Sequence, residues 1–127
     1  MFNRVFEFNQ HIVGINPRPT MALEPNEKKW LVGALHEEAD ELAASEAIED
    51  QIDALVDSII FSMGGLYRLG LTEAQAQACF HAVMDANFEK KAGQKAGRVV
   101  EGVKDAVKPE GWVGPEARIR EILNGQN

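Results

Sequence analysis

WLVGALHEEADELAASEAIEDQIDALVDSIIFSMGGLY, residues 30–67, is the stretch on which the fold turns. A helix advances roughly 100° per residue, so residues three, four and seven apart share a face. In the first half, Trp30, Leu31, Ala34, Leu35 and Leu42 define an apolar face. Glu38 falls at the centre of that face, Glu41 inside its width and Glu37 at its edge, while His36 and Asp40 point away. In the second half, Ile52, Leu55, Val56, Ile59, Ile60, Met63, Leu66 and Tyr67 form a helical stripe. Asp50, Asp53 and Asp57 line the border of that stripe, and Gly64 continues the line, where a missing side chain leaves room for a ligand. Two such helices packed antiparallel through their apolar faces bring five or six carboxylates together.

From Leu31 to Tyr67 there is no Lys or Arg to pair with these acids. A carboxylate aimed at a core is costly unless it is paired or coordinates a metal, and clustered carboxylates repel one another. Bound divalent cations remove that repulsion, and all-oxygen ligands suit Mg²⁺ or Mn²⁺. Raised carboxyl pKa values relieve it without metal. Glu38, Glu41, Asp50, Asp53 and Asp57 are the candidate metal ligands, with two or more ions expected per site. Asp40, Glu46 and Glu49 read as a solvated face.

Outward from this stretch the pattern stays helical. A helix is expected over Phe2–Val13, then a loop broken by Gly14, Pro17, Pro19 and Pro25. The acidic helices span Asn26–Ala44, with Asn26 as N-cap, and Ala47–Leu69, ended by Gly70. Thr72 and Gln75 form a capping box for a fourth helix that carries Ala76, Cys79, Phe80, Val83 and Ala86 on one side and ends near Lys91. Residues 92–114 are rich in Gly, Lys and Val and read as irregular, and no segment reads as strand. Pro115–Leu123 is a short last helix. The expectation is one all-α domain over 1–127, a four-helix bundle with an irregular C-terminal segment.

Composition narrows the function. The chain has 127 residues and a net charge of −7, which argues against nucleic-acid binding. No apolar run approaches the ~18 residues of a membrane span, and Met1–Gln10 lacks a signal-peptide core. A cytoplasmic protein without membrane contact is expected. The single cysteine, Cys79, excludes an internal disulfide and reads as a small core residue.

The run Glu37-Glu38-Ala39-Asp40-Glu41-Leu42, followed by Asp50-Gln51-Ile52-Asp53-Ala54-Leu55-Val56-Asp57, resembles the two-helix signature of the MazG-like and phosphoribosyl-ATP-pyrophosphohydrolase-like superfamily. Glu38 and Glu41 match its Glu-x-x-Glu half. In the Glu-x-x-Asp half, Asp50-x-x-Asp53 substitutes Asp for Glu, whereas an alignment on Asp57 puts Ala54 in the Glu slot. Asp50, Asp53 and Asp57 therefore all stay candidates. Asn87-Phe88-Glu89-Lys90 and Asp105–Trp112 are similar to later elements of phage and bacterial members. The resemblance implies a four-helix MazG-like fold that hydrolyses a nucleoside triphosphate, with deoxynucleotides favoured, to monophosphate and pyrophosphate. Glu37 or Glu38 would orient the attacking water. Lys90, Lys91 and Lys108 would add positive charge at the phosphates, and Asn87 would contact sugar, base or phosphate.

The resemblance also points to dimers or tetramers. The third helix is apolar around more than one face, so a homodimer burying the remainder is expected, with the partner's 90–112 segment completing the nucleotide pocket. A di-iron bundle is disfavoured, because no Glu-x-x-His pair is present. The alternative of another class is a non-catalytic, metal-stabilised helical interaction module.

Overall fold

Apolar spacing and helix boundaries agree closely in the computed structural model, which describes residues 1–125; the last two positions of the expected 1–127 domain lie outside them. Helix α1, Phe2–Phe8, runs into a π-helical turn, Asn9–Val13, and Gly14 stops it at φ 83°. Helix α2 spans Pro25–Ala44. Its cap is Glu24 and not Asn26: the side chains of Glu24 and Glu27 each accept from the other's backbone N–H, and Pro25 occupies the first turn, where a missing N–H costs nothing. Helix α3 spans Ile48–Arg68 and α4 spans Glu73–Phe88. Thr72 and Gln75 cap α4 reciprocally, as expected, at 3.0 and 3.1 Å. Helix α5 is Glu116–Leu123, preceded by Pro115.

The segment expected to be irregular contains a short ribbon. Strand β1, Lys91–Gly93, pairs antiparallel with β2, Asp105–Val107, in the register Lys91 to Val107. Three-residue strands are too short to show a period of two, so pattern reading cannot detect them. Arg98 clamps Asp105 with two hydrogen bonds and holds the carboxyl down at about 2, helped by the Ala106 N–H. The architecture is mostly helical. Among the described residues, no single helix is long and apolar enough to cross a membrane.

Two compact units divide the chain, Met1–Ala76 and Gln77 onward. In the first, α2 and α3 pack as an antiparallel hairpin, and α1 packs on α3. The tight connection between them is held by Ser45, whose hydroxyl donates to the Leu42 carbonyl at 2.7 Å. Close approach depends on Gly65: a Cβ there would lie 2.7 Å from Leu31 Cδ2. Phe6, Tyr67, Leu71 and Ala76 form the core, with the Phe6 and Tyr67 rings 5.1 Å apart. The loop after α1 is tied to the end of α3. The Tyr67 hydroxyl donates to the Ile15 carbonyl at 2.7 Å, and the Met21 N–H donates to the Leu69 carbonyl at 2.9 Å. Gly70 turns the chain at φ 82°, where any side chain would strike the Pro19 carbonyl.

In the second unit, Cys79, Ala82 and Ile122 form a small core, with Ala78 and Ile119 packed against it. Cys79 is the core residue its phase suggested, and burial pushes its thiol up. Phe80 and Val83, expected on the same side, are exposed. The buried line along α4 runs through positions 76, 79 and 82, because small residues there let neighbouring elements come close.

Candidate active site

Among the described residues, Glu38 is the one buried acidic side chain, 7 % exposed, one turn after the buried Ala34 on α2. Its Oε2 has no hydrogen-bond partner. Burial pushes its carboxyl above the ordinary value of 4.5; the charge of Glu41, and a hydrogen bond to it, push the same way, followed by the charges of Asp57 and Asp53. The helical phase read from the sequence therefore holds for this residue: a carboxylate does sit in the seam between α2 and α3.

The structure brings Glu38, Glu41, Asp53 and Asp57 into one electrostatic neighbourhood. Asp57 is half-buried, and Asp53 and Glu41 are exposed at the rim. Glu37 and Asp50 are exposed, Asp50 in the first turn of α3, where the helix dipole favours an acid without any ligand. Among the described residues, no three or more His, Cys, Asp or Glu side chains stand in a ready-made metal-holding arrangement. Convergence here is electrostatic and not a closed cage. The donor set still fits a hard divalent cation on two counts: every donor is a carboxylate oxygen, and the buried Oε2 of Glu38 lacks a partner.

Gly64 does not leave room for a ligand. The Asn9 side chain fills that space, with Nδ2 3.1 Å from where a Cβ would be. Asn9 is itself buried and donates to the Val5 carbonyl at 2.9 Å. A π-helical turn begins at Asn9, so a glycine on α3 and an irregular turn after α1 accommodate each other.

Asn87, Lys90, Lys91 and Lys108 all belong to the second unit. Lys90 and Lys108 place their ammonium groups 5.0 and 4.8 Å from the Trp112 ring centroid. The Trp112 indole N–H donates to the Ala86 carbonyl at 2.7 Å, which fixes the ring they share. Lys91 is exposed on β1, and Asn87 is half-buried.

One cluster escaped the sequence reading. Arg68, at the end of α3, lies over the Trp30 ring, 4.5 Å from its centroid, and Trp30 meets Phe61 edge-on at 5.9 Å. Glu27 accepts from Arg18 at 2.8 Å and from Arg68 at 3.0 Å, which draws its carboxyl down. These partners are up to 41 residues apart, so no local pattern announces them. The available signal was phase: Trp30 shares its face with Glu37 and Glu41, and Arg68 shares its face with Phe61 and Asp57.

Compared with known protein families and with curated proteins, the chain matches none.

Proposed function

We propose that the chain hydrolyses a nucleoside triphosphate, with deoxynucleotides favoured, to the monophosphate and pyrophosphate on a MazG-like four-helix bundle. One observation carries this reading: Glu38 is buried with an unpartnered oxygen, beside three further carboxylates. Left alone, such a cluster destabilises the fold, so its presence calls for a cationic ligand. Glu38, Glu41, Asp53 and Asp57 would hold Mg²⁺ or Mn²⁺, with Asp50 at the outer edge. When bound, the ions supply positive charge for the phosphates and acidify water.

Glu37, exposed and one residue before Glu38, would orient a water and accept its proton. Lys90, Lys91, Lys108 and Asn87 remain substrate-binding candidates on the strength of the resemblance alone; within the second unit, Lys90 and Lys108 are held on Trp112. An acidic chain tolerates an anionic substrate because bound cations reverse the local charge.

Assembly as a homodimer or homotetramer belongs to the same proposal. Ile48, Ile52, Leu55 and Ile59 on α3 are 70, 54, 51 and 49 % exposed. A row of that kind favours burial against a second copy, and sedimentation at micromolar concentration reads it. The proposed setting is the cytoplasm, where free nucleotide pools lie. The deciding experiment incubates the protein with Mg²⁺ and a panel of deoxynucleoside triphosphates and measures the phosphorus products. Pyrophosphate with monophosphate is expected. Orthophosphate release, or no release from any triphosphate, overturns the reading.

A further inference from the structure

The seam between α2 and α3 changes character along its length. Glu38, Glu41, Asp53 and Asp57 occupy one part of it. Trp30 lies eight residues before Glu38, about 12 Å along the helix, and Phe61 lies four residues after Asp57, about 6 Å along the other. Because the helices are antiparallel, the two rings meet, 5.9 Å apart. Arg68 closes that end of the seam.

Trp30 is large, apolar and 48 % exposed, yet it is held firmly. The Arg68 guanidinium sits 4.5 Å from its ring centroid. Glu27 fixes that guanidinium at 3.0 Å, and Arg18 fixes Glu27 at 2.8 Å. Arg18 also donates to the Arg68 backbone carbonyl. Arg68 Nε is buried with no acceptor, so the cluster holds an N–H that its own residues do not satisfy. An aromatic ring braced by a cation and left half in water is a preorganised stacking surface.

We propose that Trp30 is the nucleobase platform of this site: the base stacks on the exposed indole, and its phosphates run along the seam toward the carboxylates. The proposal rests on the triphosphate reading above and adds a substrate class to it. Every base has a π-face, so stacking discriminates weakly among them. The enzyme accepts several bases, and purines, with more ring to stack, bind more tightly than pyrimidines. Arg68 is a positioning residue that holds the ring.

Trp30→Leu tests the platform. KM for a deoxynucleoside triphosphate should rise about 5- to 100-fold, the loss expected for one stacked base, with kcat little changed, as for binding shared by ground and transition states. Trp30→Phe, which keeps a π-face, should recover most of the affinity. Inhibition by inorganic tripolyphosphate, which has no base, should be unchanged in Trp30→Leu. An unchanged KM overturns the proposal, as does equal weakening of tripolyphosphate, which would mean that Trp30 only supports the helix pair. A second measurement does not depend on turnover. In a Trp112→Phe background Trp30 is the sole tryptophan, and deoxyguanosine monophosphate should quench its fluorescence. No quenching by a protein that hydrolyses triphosphates overturns the platform and leaves the hydrolase reading standing. Quenching in this background, with a parent protein that hydrolyses none, supports the platform and overturns the hydrolase reading.

Discussion

Replacing Gly65 with alanine tests the close approach that sets α2 against α3 and hence the carboxylates against one another. A Cβ at position 65 would lie 2.7 Å from Leu31 Cδ2, about 1 Å inside the optimal carbon–carbon separation. Overpacking of this kind costs ~1–3 kcal/mol. Leu31 Cδ2 is the far end of a flexible, half-buried side chain, so the cost stays below the top of that range, at about 2 kcal/mol. Alanine also restores up to ~1 kcal/mol of helix propensity that glycine forfeits. The net expectation is a destabilisation of roughly 1 kcal/mol, or a fall of about 3–5 °C in Tm. Thermal and urea unfolding of four proteins resolves the two contributions: the parent, Gly65→Ala, Leu31→Ala and the double variant. With Leu31 shortened the clash disappears, and Gly65→Ala should then stabilise by ~1 kcal/mol. If Gly65→Ala stabilises equally in both backgrounds, the helices do not meet there and the packing argument fails.

Turnover should fall about 100-fold or more in Glu38→Gln, the range of positioned acid–base groups, and hardly at all in Asp40→Asn; equal losses would mean that the helical phase is wrong. The pH dependence of metal-free stability follows from Glu38, whose carboxyl is raised above 4.5. A raised carboxyl contributes stability that is present below its unfolded value and lost as pH rises through the folded one. The metal-free protein should therefore gain stability from Glu38 as pH falls from neutral toward that value, and urea titrations should show no such gain in Glu38→Gln. Below about pH 4 the trend reverses, because Asp105, drawn down from 3.8 to about 2, loses its pairing with Arg98 as it protonates. Chelation with EDTA should abolish hydrolysis, and Mg²⁺ or Mn²⁺ should restore it. At a hundred times its Kd the ion should also stabilise the fold by ~2.7 kcal/mol, read as a rise in Tm; full activity in chelator would remove the metal from the proposal.

The helices, their approximate ends and the burial of Glu38 were legible in the sequence because each depends on local spacing. A period of 3.6 residues puts Glu38 on the same face as Ala34 wherever the helix packs, and Thr72 and Gln75 cap a helix through residues three apart. Phase alone also listed Asp50 with Asp53 and Asp57. Only the packed helix pair separates them, since the charges acting on Glu38 come from Glu41, Asp57 and Asp53. Other features depend on residues distant in sequence. Gly64 looked like open space until Asn9 filled it from the turn after α1. The cap of α2 is the exception, a local box of Glu24 and Glu27 three residues apart that was open to reading but passed over for Asn26. The ribbon of β1 and β2 rests on pairing across a long turn and on the Arg98–Asp105 clamp, neither of which has a periodic signature. The bracing of Trp30 by Arg68, Glu27 and Arg18 is of the same kind. A periodic pattern specifies which face of a helix turns inward, but the side chain that meets it is chosen by the fold, when segments tens of residues apart are brought into contact.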